Sequence, residues 1–166
     1  VKKVLFALLI AVLGLLAPAG VRAEPARTAA VFDAVFVNSS PQPTTPEETA
    51  RIARLTAQLK QALDKSGLYR AIDLASIAKD VAAAPDIVDC NGCEAELAKK
   101  AGAQVAVVAW VQKVSNLILN MNIRIVDAKT GATLKGGSID IRGNDDQTWD
   151  RGLKYLLSEH VFAPPR

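Results

Sequence analysis

Cys90 and Cys93 are the only cysteines in the sequence, and they stand two residues apart as Cys90-Asn91-Gly92-Cys93 at the start of a segment with helical character. A helix amino terminus stabilises a thiolate, and a two-residue spacer lets a second thiol resolve a mixed disulfide, so this spacing suits thiol-disulfide exchange. The same spacing closes a structural disulfide, the ordinary state of such a pair in an oxidising compartment. A redox motif of the thioredoxin type follows a strand directly, whereas Pro85 and Asp86 put an irregular stretch ahead of this one. A structural disulfide is therefore the preferred reading, with thiol-disulfide exchange as its rival. Zinc takes about four ligands. Two cysteines and the single, distant His160 do not supply them unless the protein dimerises, so no metal and no cofactor is expected.

The other candidates are weaker. His160 falls on the apolar stripe of the last helix, where a histidine packs more often than it catalyses. Asp33 interrupts an apolar run and must be either paired or turned out to solvent, because an unpaired buried carboxylate is costly. No Gly-x-Ser-x-Gly elbow is present. Lys135-Gly136-Gly137-Ser138 lies within a strand pattern and opens no helix, so it does not read as a phosphate loop. No catalytic residue is assigned. Asn120, Asn122 and Arg124, with Asp140 and Arg142 on the returning strand, form the expected binding face; a plain solvated face is the alternative. Trp110 and Trp149 read as core, although an indole near a sheet edge could anchor a partner.

Residues 1–23 set the compartment in which this chemistry would occur. Lys2 and Lys3 precede an apolar run from Val4 to Leu16, followed by Pro18, Gly20 and the small-residue pattern Val21-Arg22-Ala23. That is the order of a cleavable signal peptide, and the run is short of the roughly 20 residues a spanning helix needs. Cleavage is expected after Ala23, with Ala17-Pro18-Ala19 as a second pattern and an uncleaved anchor as the alternative. No cysteine lies near the junction to carry a lipid, so a soluble periplasmic or secreted domain over residues 24–166 is expected, without a stable membrane anchor. Of the 20 basic residues, Lys2, Lys3 and Arg22 lie in the leader, and the remaining 17 balance the 17 acidic ones. A neutral domain has no overall electrostatic attraction to nucleic acid or anionic membranes.

The elements that must position these residues follow from hydrophobic periodicity. Residues 29–37 are almost continuously apolar and predict one buried strand. Thr45-Pro46-Glu47-Glu48 predicts a helix start with a capping box, and Ile52, Leu55, Leu59 and Leu63 carry that helix to Gly67. A short strand is expected over 69–74, a helical turn or two over 76–84, a helix from Asn91 to Gly102, and a buried strand over 105–111. Residues 117–125 alternate, with apolar odd positions and a polar face at 120, 122 and 124. Asp127 to Gly131 forms a hairpin loop. In the returning strand the apolar positions shift from Ala132 and Leu134 to Ile139 and Ile141, which predicts a bulge at Gly136-Gly137. Asn144 with Gln147 opens a last helix bearing Trp149, Leu153, Leu156, Leu157 and His160. The sum is a single α/β domain, βαβαβββα, with a mixed five-stranded sheet in the order 2-1-3-4-5 and helices packed on it.

The Cys-x-x-Cys pair, Gly102-Ala103-Gln104-Val105, the run from Trp110 to Asn120, and Ile141-Arg142-Gly143-Asn144-Asp145 with Trp149 resemble a family of uncharacterised, predicted secreted bacterial proteins, over most of residues 24–166. More distantly, the strand order is similar to the amino-terminal domain of TolB and to the envelope proteins CsgG and LpoB. That resemblance implies a non-catalytic module that binds another envelope component, a protein or a glycan. This chain departs from the CsgG and LpoB pattern by lacking the lipid-bearing cysteine. Beside that expectation stand two alternatives, a periplasmic thiol-disulfide oxidoreductase using Cys90 and Cys93, and a small-ligand carrier with a pocket between sheet and helices.

Overall fold

The run expected as one strand is two, because the buried segment takes one residue more than its neighbour. The computed structural model describes residues 24–164, so the expected leader lies outside the described residues. Within them, β1 (Arg27–Val31) and β2 (Val35–Asn38) both lie parallel to the same long strand, β4 (Val105–Ser115). Val31 pairs with Val107 and Val35 with Trp110, so four steps along one strand match three along the other. The extra residue flips the side-chain parity. Ala29 and Val31 face one layer of the core, and beyond the irregularity Phe36 takes over that face. Asp33 is turned out, its side chain 89% exposed, with Lys60 Nζ 3.6 Å away. The five expected strands are therefore six.

The remaining elements are α1 (Pro46–Ser66), β3 (Tyr69–Ala71), α2 (Ala78–Ala83), α3 (Cys93–Lys100), β5 (Ile118–Asp127), β6 (Thr133–Ile141) and α4 (Asp146–Leu156). The sheet order is β3-β1-β4-β5-β6, with β2 also on β4, which is the expected order once the split strand is counted. β1 to β4 are parallel, and β5 and β6 return antiparallel.

The first helix forms where its residues predict. Thr45 Oγ1 accepts from the Glu48 amide, Glu48 Oε2 accepts from the Thr45 amide at 2.9 Å, Pro46 holds the first helical position, and Gly67 ends the helix at φ 69°. Leu55, Leu59 and Leu63 are buried against one sheet face beside Trp149, Leu153 and Leu156 of α4, each side chain contributing about 1.5–3 kcal/mol through burial. The other face is covered by Ile77, Ala95 and Ala98 from the α2 and α3 layer, over Ala30, Phe32, Ala106 and Val108.

Two expected details move. The bulge in β6 is at Leu134, not at Gly136-Gly137: Lys135 pairs with Ile125 and Thr133 with Val126, while both glycines hold regular register. Leu134 makes the parity switch, and Gly137 serves close approach instead, since a Cβ there would fall inside the His160 side chain. The last helix is capped by Asp145, whose Oδ1 accepts from the Thr148 amide at 2.9 Å, and not by Asn144. That helix widens at its end into one wide turn over 157–161, where the Phe162 amide reaches Leu157 O at 2.9 Å.

Candidate functional site

Asn91 (φ 54°) and Gly92 (φ 104°) both adopt the left-handed conformation, and this reversal brings Cys90 back onto the first turn of α3. The two cysteines form a disulfide with a Cα separation of 5.5 Å. Beneath it lies an ion pair absent from the sequence reading. Glu94 is buried, its Oε2 stands 3.2 Å from Cys90 Sγ, and its Oε1 accepts from Arg124 Nη2 at 2.9 Å. The same Nη2 donates to Val88 O at 3.2 Å, and the guanidinium lies 5.9 Å from the centre of the Trp110 ring.

Arg124 thus fastens the 86–92 segment to β5. In the reduced state a carboxylate beside Cys90 would oppose formation of its thiolate, the reverse of what an attacking thiol needs. Cys90, Cys93 and Glu94 present three ligand-type atoms within 4.8 Å of one another, but bridged sulfurs are not thiolates and do not bind metal as such. Closing so short a loop is worth about 2 kcal/mol. Reduction of the disulfide is accordingly expected to lower the stability by about that amount while leaving the sheet folded; urea melts with and without reductant check it.

The proposed face separates into three parts. Asn120, Asn122 and Asp140 come together: Asn120 Nδ2 donates to Asp140 Oδ1 at 3.0 Å, Ser138 Oγ donates to Asn120 Oδ1 at 3.0 Å, and Asn122 Nδ2 donates to Asn120 O at 3.3 Å. Arg124 shares their side of β5 but is tied to Glu94. Arg142 lies past the end of β6 and is exposed. Trp110, across from Asn122 on β4, is only half-buried, and Val35 and Val37 flank it on β2. Trp110 packs partly against the cluster under α2 and α3, and Asn122 beside it is buried. At the adjoining β4–β5 hairpin tip, Val114, Leu117 and Ile118 are exposed, Leu117 by 72%.

The most buried polar group was missed as a unit. Glu48 Oε1 accepts from Lys113 Nζ at 2.7 Å and from Asn144 Nδ2 at 2.5 Å, and both members of the ion pair have side chains no more than 2% exposed. Asn144 Oδ1 in turn accepts from Arg51 Nη1 and from the Trp149 indole, each at 3.2 Å. Burial pushes the Glu48 carboxyl upward, but hydrogen bonds from Lys113, the Thr45 amide and Asn144, with the Lys113 charge, outweigh it and hold the group below its ordinary value. The signal was present in the sequence: Val105, Val107, Ala109 and Val111 put every odd position of β4 inward, and Lys113 continues that series. His160 is a packing residue over Gly137.

Among the described residues, no helix is long and apolar enough to cross a membrane. No curated protein sequence matches the chain. Among solved structures, the fold is similar to the lipoprotein GNA1162 from Neisseria meningitidis, with TM-score 0.55 and 14% identity over 80% of this chain and 95% of that one. It is also similar to the LpoB C-terminal domain from Escherichia coli, with TM-score 0.52 and 17% identity over 74% of this chain and 88% of that one. The same domain from Salmonella enterica gives TM-score 0.52 and 16% identity over 71% and 84%. Identities this low establish a shared fold. The family model DUF3280, described as "Protein of unknown function (DUF2380)", matches residues 27–161, and the chain belongs to this family.

Proposed function

We propose that the chain is exported and acts as a soluble, non-catalytic binding module of the bacterial envelope, engaging an envelope protein or glycan through the open half of its sheet. The observation that carries this reading is the unequal cover of the sheet. One face is covered by α1 and α4, whereas on the other Trp110 packs only partly against the edge of the α2 and α3 cluster, Asn120 is half-buried and Asp140 is exposed, with Asn122 buried between them. A half-buried indole among hydrogen-bonding amides offers an anchor with a polar surround, the composition of a recognition surface. The leader-like start of the sequence and the fold shared with LpoB and GNA1162 support the compartment. Charge balance supports a partner other than nucleic acid.

The test is a photo-crosslinking amino acid placed at Gln112 or Ser138 on this face, and at Ala57 on the exposed side of α1, in cells exporting the protein. Crosslinks to one envelope component from the first two positions and none from Ala57 support the reading. Adducts from Ala57 alone, or none from any position, would overturn it. With the captured component in hand, Trp110→Ala is expected to weaken binding about 30-fold, the effect of losing a central aromatic anchor, measured by titration calorimetry.

A further inference from the structure

β6 is the last strand of the sheet, and among the described residues nothing pairs with its outer edge. Such an edge presents a row of amide and carbonyl groups that another strand can take up, and proteins ordinarily blunt the row with proline, lysine or a bulge. β6 does little of this. It contains no proline, its bulge at Leu134 leaves 135–141 in regular register, and its single lysine, Lys135, is drawn aside to donate to Ala163 O at 2.9 Å. Gly136 and Gly137 leave the row uncrowded.

A second feature overhangs the same edge. Gly152 of α4 sits on β6, since a Cβ there would meet Ile141 at 2.8 Å and Ile139 at 3.6 Å. Asp146 and Asp150 mark the side of α4 that faces α1, where they bond Arg51 and Arg54. Helical periodicity puts Arg151, Tyr155 and Glu159, each four residues from the next, on the opposite side, beyond β6. All three are exposed, Tyr155 by 58%. None of the ion pairs among the described residues includes Arg151 or Glu159.

The strand edge and the helix side share one centre. Gly152 lies over Ile139 and Ile141, and His160 lies over Gly137, so the level of Ser138 falls between them on α4, near Tyr155. A two-fold axis normal to the sheet beside Ser138 pairs β6 antiparallel with its copy: Ser138 meets Ser138, Gly137 meets Ile139, and Gly136 meets Asp140. The two Asp140 carboxylates then stand about 13 Å apart along the strands. The same axis sets α4 antiparallel to its copy about Tyr155, and Arg151 faces Glu159 twice.

We infer that the outer edge of β6 and the Arg151–Tyr155–Glu159 side of α4 form a homodimer interface, in which a second copy of this chain continues the sheet. The chemistry of the patch selects this occupant. Unpaired backbone groups call for a strand, and a base and an acid set equally far on either side of one centre make the patch complementary to itself, as a two-fold contact requires. The dimer brings both open halves onto one continuous surface and stands independently of the envelope-binding reading.

Sedimentation equilibrium of the purified protein is expected to show monomer passing to dimer as concentration rises. Arg151→Glu and Glu159→Arg should each weaken the dimer about tenfold, because the axis makes every contact twice and reversal turns two attractions into repulsions. Both reversals in one chain should restore it. Neither threatens the fold, since both side chains are exposed. Ser138→Cys should join two copies through a disulfide under diamide, whereas Asp140→Cys should not. A monomer at every concentration up to millimolar, a dimer indifferent to either reversal or not recovered by the pair, or linking at 140 in place of 138 would overturn the proposal. A photo-crosslinker at Ser138 is expected to give an added adduct of twice the chain mass. Gln112, on β4 two strands in from this edge, reports the envelope component alone, so the two readings fail separately.

Discussion

Lys113→Met is expected to destabilise the domain by about 3–5 kcal/mol, because it leaves Glu48 charged and buried without its partner. For a domain of this size that corresponds to a fall in Tm of roughly 10 °C. The pH dependence separates this cause from lost packing. In the native protein the Glu48 carboxyl lies below its ordinary value of 4.5. Its contribution is therefore fully present above that pH and is lost as pH falls through the lower folded-state value. Lys113→Met removes both the hydrogen bond and the charge of Lys113 and leaves the burial opposed only by the Thr45 amide and Asn144, so the shift is expected to reverse. The native state then holds the proton more tightly than the unfolded chain, so the variant should gain stability as pH falls from neutrality toward the ordinary carboxylate range, where the native protein gains none. Urea midpoints at neutral and mildly acidic pH measure both slopes. Adding Glu48→Gln to Lys113→Met should recover part of the loss, with a coupling of about 1–3 kcal/mol. Simple additivity would show that the pair contributes only bulk.

Trp149→Ala should cost a similar 3–5 kcal/mol, through the cavity left by a large buried side chain. Trp149 is 2% exposed, packs 5.9 Å from the Phe36 ring between centroids, and donates its indole hydrogen to Asn144. Trp149→Phe keeps much of the apolar volume and gives up the hydrogen bond, so a smaller loss is expected, on the order of 1–2 kcal/mol. The sequence holds two tryptophans. Fluorescence of the Trp149 variants therefore reports Trp110 alone and shows whether the open face keeps its geometry while α4 loosens. Because Trp149 and Lys113 meet through Asn144 and Glu48, their combined effect should fall short of the sum.

The parts of this fold written in local chemistry were legible in advance. The capping box at Thr45 and Glu48, the left-handed stop at Gly67 and the Asp127–Gly131 loop each depend on residues within a few positions of one another, and the structure holds them as expected. Alternation in 117–125 located β5, but the strand begins at Ile118, Leu117 is exposed in the turn before it, and Asn122 of the expected wet face is buried. The strand order followed from connection rules. Local sequence does not carry the outcome where a second strand decides it. Nothing between Ala29 and Val37 shows that Val31 and Val35 must match positions only three apart on β4. Likewise the parity shift in β6 was evident, but its location depends on the register against Ile125 and Val126, and glycine was a misleading guide.

The candidate site divides in the same way. The disulfide was expected from spacing and compartment, and it is present. Arg124 shows the limit of reading one strand at a time. Its side of β5 was correctly inferred, yet its partner Glu94 is thirty positions earlier, on a helix that closes over that end of the strand. Asn144 is a related case, since its type suits a helix cap and its side chain is drawn to Glu48, leaving the cap to Asp145.

The additional residue between Val31 and Val35 acts on the chain as a frameshift acts on a message. Everything from Val35 to Asn38 is read one place out of phase with the strand that precedes it. Removing one residue there would rotate that stretch by half a strand period, turning Val35 and Val37 toward Leu55 and Trp149 and swinging Phe36 outward. A relative that lacks the residue should therefore carry its large apolar side chains one place earlier or later in this stretch. A single gap in an alignment at this point is then a statement about which side of the sheet each following residue inhabits.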